Sequence, residues 1–317
     1  SAFPLYALPG CSMASRMVFT KRFAAGKTMG IYMKREIEKI LQYVQKPARY
    51  AGGELNSVVK DAEKVDIRYA FCFPDLYEIG MSHLGMKILY SLVNEREDSW
   101  CERVFAPDAD MEKQMREHNI PLFALESSDY IRNFDMIGFT LMYELCYTNM
   151  LNMLDLAEIP LKSSERRELT PIICCGGPCV CNPEPIADFV DLVFLGDGEE
   201  STPAVIDLLK ECKKNGASKR EFLLRAKDIE GVYVPCLYMD SYNADGTLNE
   251  LKPIDGAPSK IRKSVVSDMN KCFYPKEFVV PFISIVHDRA VAEIFRGCIR
   301  GCRFCQAGFT YRPIREK

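Results

Sequence analysis

From Val65 onward, short apolar runs with strand character alternate with longer helical stretches, and this alternation constrains the fold more than any other feature. Consecutive units of this kind predict strands lying parallel in one sheet, with helices on both of its faces. The strands fall at Ile67 to Phe73, Arg103 to Ala106, Met136 to Leu141, Pro171 to Cys175 and Leu192 to Leu195. Helices fall between and after them, at Ser82 to Asn94, Asp110 to Asn119, Tyr147 to Glu158 and Thr202 to Asn215. Ser82 stands as an N-cap before Leu84, Met86, Ile88, Leu89 and Leu92, an apolar set at helical spacing. The expected architecture over residues 65–215 is α/β, a doubly wound parallel sheet.

Ligands on such a sheet bind beyond the carboxyl ends of the strands, where the strand order reverses. Those ends carry Pro74-Asp75, Glu144, Gly176-Gly177-Pro178 and Gly196-Asp197-Gly198-Glu199-Glu200. Glycine lets a backbone approach a ligand closely or take a positive φ, and two such turns on one edge suit a large, flat or phosphate-bearing molecule. Glycine-rich turns are also common without any ligand.

Around this unit the chain divides unevenly. Residues 1–32 precede a better helical pattern that opens at Met33-Lys34-Arg35-Glu36, and are expected to be a leader or non-native segment outside the fold. Residues 33–64 form a helical and extended lead-in. After Gly216 the character changes: Asp240 to Gly256 is rich in Asn, Asp, Gly and Pro, Lys260 to Lys276 is mixed and basic, and residues 216–288 read as an irregular linker. A strand, Val291 to Phe295, then runs into Arg296-Gly297-Cys298.

With 41 basic and 44 acidic side chains the net charge is −3, which gives no global electrostatic reason for nucleic acid or an anionic membrane as a partner. No apolar run is long enough for a membrane span. The run Lys260 to Lys263 reads as a solvated face, as do His118 in its charged helix and His287 beside Asp288 and Arg289.

The chain holds 14 cysteines without the even framing of a disulfide scaffold, so most are expected as free thiols. Cys72, Cys101, Cys146, Cys212, Cys236 and Cys272 each stand alone and read as small buried hydrophobes. Cys174 and Cys175 are neighbours on a strand, must point to opposite faces, and read as core; Cys179 and Cys181 stay open. Cys298, Cys302 and Cys305 differ. Their C-x-x-x-C-x-x-C spacing gathers three thiolates on one loop, enough to hold an iron–sulfur cubane by three irons and leave the fourth without a protein ligand. A zinc site is the rival, but it usually pairs two hooks, and no second hook follows within reach.

The triplet, with Phe304 before its last cysteine, resembles the cluster motif of the radical S-adenosylmethionine (SAM) superfamily. That resemblance implies that Cys298, Cys302 and Cys305 ligate a [4Fe–4S] cluster, that Phe304 shields it, and that SAM chelates the open iron. Reductive cleavage of the sulfonium would then release a 5′-deoxyadenosyl radical for hydrogen abstraction or radical methylation. A Rossmann-like sheet of the cobalamin-binding type ahead of the cluster strand resembles the layout of corrinoid-dependent members. Gly196-Asp197-Gly198-Glu199 is similar to their G-E-G-E turn with Asp for the first Glu. The stretches Arg49 to Glu54, Phe73 to Gly85 and Arg296 to Arg312 resemble one uncharacterised subgroup, from Met33 to Lys317.

By this resemblance, cobalamin would bind over Gly80, Gly176, Gly177, Gly196 and Gly198, and residues 289–317 would begin a radical SAM partial barrel that continues beyond the chain. Asp75 and His83 lie eight apart, unlike the D-x-H-x-x-G loop of the cobalamin mutases, so His83 is expected to make a capping or crevice hydrogen bond rather than ligate cobalt. The implied reductant is a ferredoxin or flavodoxin and the implied compartment is the cytoplasm. The alternative, from another class, is a non-catalytic cobalamin- or metal-binding, or electron-transfer, module.

Overall fold

The structure is a computed structural model and describes residues 33–317. The expectation for residues 1–32 lies outside the described residues. Helical residues 33–41 (α1) lead in, and Ile37 and Ile40 pack into the core on one face of the sheet.

A six-stranded sheet forms the centre, in the order β2-β1-β3-β4-β5-β6. Its strands are β1 (Ile67–Phe73), β2 (Ser99–Phe105), β3 (Met136–Thr140), β4 (Ile172–Gly176), β5 (Leu192–Phe194) and β6 (Val232–Tyr233). The first five pair in parallel and β6 is antiparallel to β5. The order reverses between β1 and β3, as in flavodoxin-like sheets. The main helices are α3 (Leu84–Asn94), α4 (Ala109–His118), α5 (Cys146–Leu156), α6 (Gly198–Asn215) and α7 (Lys219–Ala226), and the short α2 (Tyr77–Gly80) precedes α3.

Strand alternation divides the core in two. Ala70, Cys72, Ile137, Ile173, Cys175 and Val193 face α4 and α5, whereas Tyr69, Phe71, Met136, Cys174, Leu192 and Phe194 face α3 and α6. Cys174 and Cys175 therefore do point to opposite faces, and both are buried. Helices on both faces with a mostly parallel sheet make this a doubly wound α/β fold.

At the outer edge of β2, other groups already occupy the ladder positions. Asn94 Oδ1 accepts from the Cys101 amide at 3.0 Å, and its Nδ2 donates to the Cys101 carbonyl at 2.9 Å. The Arg103 amide donates to Glu126 at 2.7 Å, the Arg103 carbonyl accepts from the Leu125 amide at 2.9 Å, and Lys60 Nζ donates to the Ser99 carbonyl at 2.7 Å.

Three expectations are corrected. Ser82 is not the cap of α3; His83 is, its Nδ1 accepting from the Met86 amide at 3.1 Å. The stretch after Gly216 is less irregular than its composition suggests. Here α7 packs through Phe222 and Leu223, β6 extends the sheet, and Asn243-Ala-Asp-Gly246 turns a hairpin between β7 (Tyr238–Tyr242) and β8 (Leu248–Pro253). Its Asn, Asp and Gly are turn chemistry: Gly246 has φ +82° and its amide donates to the Asn243 carbonyl at 2.9 Å. Finally, the strand before the cysteine triplet shrinks to β9 (Phe295–Arg296), which pairs antiparallel with β10 (Arg315–Glu316).

Among the described residues, no helix is long and apolar enough to cross a membrane.

Candidate cofactor cleft and cysteine loop

A cleft of about 460 Å³ opens on the α3/α6 side of the sheet, toward the carboxyl ends of its strands. Its floor is made by alternate residues, Tyr69 and Phe71 of β1, Gly138 and Thr140 of β3, Cys174 and Gly176 of β4, and Phe194 of β5. Helices α3 and α6 supply walls. Period-two alternation brings these residues to one face, and the parallel order brings their strand ends to one rim. Gly138 is glycine because Tyr69 lies across it; a Cβ there would stand 2.1 Å from the Tyr69 hydroxyl.

The expected glycines divide by the reason each lacks a side chain. Gly176 and Gly177 line the cleft, as do Gly196 and Gly198. A Cβ on Gly177 would stand 2.5 Å from the Leu141 carbonyl oxygen, and one on Gly196 would stand 2.1 Å from that of Ser264. Both have positive φ, +101° and +98°, so the chain's own backbone already requires glycine there. Gly176 has ordinary space, its nearest neighbour being Phe194 Cβ at 3.7 Å. Gly80 corrects the expectation: it does not line the cleft but packs under Phe105, whose ring would lie 2.3 Å from an added Cβ.

His83 lies at the cleft wall with its Nδ1 committed to the α3 cap, which leaves a proton on Nε2 when the ring is neutral. Burial lowers its pKa to about 4, so the ring is neutral near pH 7. Asp75, across the β1 and β3 loops, accepts from the Tyr143 hydroxyl at 2.8 Å.

Above the cleft lies the segment bearing the three cysteines. Pairing of β9 with β10 closes residues 297–314 into one loop that contains Cys298, Cys302, Cys305 and the short helix α8 (Ala307–Thr310). Gly297 makes the neck narrow. Its φ is +108°, and a Cβ there would meet the Pro313 carbonyl oxygen and Ile314 Cα at 2.8 Å. Within the loop the Cys305 amide donates to the Cys302 carbonyl at 3.1 Å, and the Arg312 guanidinium donates to the Arg300 carbonyl at 3.3 Å. Cys302 is exposed, and Cys298 and Cys305 are half-buried. Among the described residues no three His, Cys, Asp or Glu side chains converge in metal-holding geometry, so the thiols share a loop without being drawn to a point. Phe304 is 93% exposed.

Sequence reasoning missed the groups that hold the loop in place. Arg296 approaches Asp197 at 3.3 Å, Glu199 at 2.5 Å and Glu293 at 2.7 Å. Arg315, its register partner across the neck, also pairs with Asp197, whose Oδ2 accepts from the Val266 amide at 2.8 Å. Burial works against the charge on Arg296, but Glu293 and Glu199 outweigh it and raise its pKa. Cys272 sits beside Arg296 and Glu199, and burial together with Glu199 pushes its thiol up to about 11. Lys263 is no solvated residue; its Nζ donates to the Thr310 carbonyl at 2.8 Å. The only signal in the sequence was the acidic turn itself, since nothing there pairs Asp197 with arginines so far along the chain.

Of the isolated cysteines, Cys72, Cys101, Cys146 and Cys212 are buried as expected, whereas Cys236 is exposed and Cys272 half-buried. His118 is exposed, as expected.

Residues 85–235 match the family described as radical SAM proteins, N-terminal. The match begins in α3, takes in β2 through β6, and ends before the cysteine triplet. Over 256 residues the chain is 27% identical to an uncharacterized protein of Methanocaldococcus jannaschii, covering 78% of this chain and 42% of that protein. The chain thus spans less than half the length of that curated relative. No solved structure matches. The matched family supports the radical SAM resemblance through the α/β unit, independently of the cysteines.

Proposed function

We propose that this chain is the N-terminal part of a radical SAM enzyme, in which the cysteine loop binds a [4Fe–4S] cluster and the cleft beneath it binds a corrinoid. One observation carries the reading: the three thiols lie on a loop closed at its neck and docked over a largely apolar cleft, at the strand ends of an α/β unit that matches the radical SAM N-terminal family. The donor set fits the cluster, since three thiolates on one short loop with a free fourth position are what a SAM-binding cubane requires. Cys298, Cys302 and Cys305 would hold it. Once bound, cluster and SAM together supply reductive cleavage of a sulfonium carbon–sulfur bond.

The chain's own contribution is placement and exclusion of water. Asp197 and Glu199 hold the loop neck through Arg296 and Arg315, and the floor residues Tyr69, Phe71 and Phe194 keep the cleft apolar. A cleft of about 460 Å³ with a glycine-lined rim is of the size that takes an organic cofactor's tail, which supports binding of the corrinoid's nucleotide there. His83 is occupied as a cap, which favours corrinoid binding without a protein ligand to cobalt. In this reading the α/β unit from β1 through β6 is the cobalamin-binding-type unit, the stretch after β6 connects it, and residues 289–317 open the radical SAM domain. A ferredoxin or flavodoxin in the cytoplasm would supply electrons.

Anaerobic reconstitution with iron and sulfide tests the cluster. Broad absorption near about 400 nm that is lost in a triple Cys298, Cys302, Cys305→Ala variant is expected. Absorption that survives in the triple variant, or tetrahedral zinc in its place, overturns the assignment. Hydroxocobalamin retention by the folded chain tests the cleft. Retention without any cluster would instead favour a non-catalytic binding module.

A further inference from the structure

The turn Gly196-Asp197-Gly198-Glu199 has two faces. Its backbone lines the cleft, while its carboxylates grip the neck of the cysteine loop. Asp197 takes both Arg296 and Arg315, which face each other across β9 and β10, and Glu199 takes Arg296 a second time. Three carboxylates, Asp197, Glu199 and Glu293, meet three cations, Arg296, Arg315 and Lys317, so the cluster of charges is balanced. Arg296, Gly297, Tyr311 and Arg315, all at the neck or the end of the loop, line the cleft in the docked arrangement. A ligand in the cleft therefore touches more wall when the loop is docked than when it is released.

We propose that this clasp couples the cleft to the cysteine loop, with Asp197 as the positioning residue. A ligand seated against the Gly196–Gly198 turn and a loop loaded with iron and sulfide favour the same docked arrangement. A state favoured by both ligands links their affinities, and the linkage is reciprocal. The identity of the two ligands rests on the proposed function; the clasp rests on the geometry alone.

Asp197→Asn separates the two. Asparagine keeps the size and an acceptor for the Val266 amide but removes the charge that holds both arginines. Amide hydrogen exchange on the whole chain, without added ligands, should show residues 297–314 exchanging roughly tenfold faster or more in this variant, with β1, β3 and β4 unchanged. Arg296→Gln should act in the same direction, and Arg296→Lys should restore part of the protection. Equal exchange in Asp197→Asn and the parent chain overturns the clasp.

Coupling is read from hydroxocobalamin affinity before and after anaerobic iron–sulfide loading. A ratio of roughly fivefold or more is expected in the parent chain, falling close to one in Asp197→Asn. A ratio of one in the parent overturns the coupling. If the parent chain binds no hydroxocobalamin, the corrinoid part of the proposed function fails, and the exchange comparison still decides the clasp.

Discussion

Gly196 and Gly176 line the same cleft yet lack side chains for different reasons, and alanine at each should separate them. Gly196→Ala drives a Cβ to 2.1 Å from the Ser264 carbonyl oxygen at φ +98°, so it should destabilise the fold by about 1–3 kcal/mol in urea denaturation. Gly176→Ala meets only ordinary contacts at 3.7 Å and should leave stability within about 1 kcal/mol, while narrowing the cleft and weakening hydroxocobalamin binding. The residue types at the strand ends were legible as glycine-rich turns, but their causes were not, because the partner backbone at Ser264 lies far away in sequence. His83 makes a second residue-scale prediction. Burial depresses its pKa from 6.5 to about 4, so the folded state favours the neutral ring. Its contribution is fully present above pH 6.5 and is lost as pH falls toward 4, on the order of 3 kcal/mol. An imidazole NMR titration with its midpoint near 6.5 would contradict this, and His83→Asn should cap α3 without that acid sensitivity.

Period and punctuation reached most of the elements. Met136 to Leu141 and Leu192 to Leu195 differ from β3 and β5 by a residue at one end, because apolar runs outlast the ladder where a strand meets its turn. For β2, the expected strand begins only at Arg103, since Ser99, Trp100, Cys101 and Glu102 carry no alternation; all seven residues of the strand are buried. The short β9 and β10 were not legible, because two-residue pairing depends on a partner at Arg315 that no periodicity announces. An element-scale prediction concerns the contact between β1 and β3. Gly138→Ala places a methyl 2.1 Å from the Tyr69 hydroxyl and should cost about 1–3 kcal/mol. The cost should shrink in a Tyr69→Leu background, and equal losses in both backgrounds would remove Tyr69 as its cause.

Across the molecule, the sheet carries the core while the cysteine loop hangs from one narrow neck and a few ion pairs, so the two should differ in local stability. Gly297→Ala would press a Cβ against Pro313 and Ile314 at 2.8 Å and open that neck. Limited proteolysis should then cut faster within residues 297–314 while the thermal midpoint of the sheet hardly moves; a cooperative loss of both would mean that loop and sheet unfold together. The occupied outer margin of β2 carries a consequence of its own. An incoming extended peptide, or a second copy stacking strand on strand, would find the amides and carbonyls of Cys101 and Arg103 already engaged by Asn94, Leu125 and Glu126. That flank is closed to fibril-like recruitment, which spares a cysteine-rich chain one route to self-association.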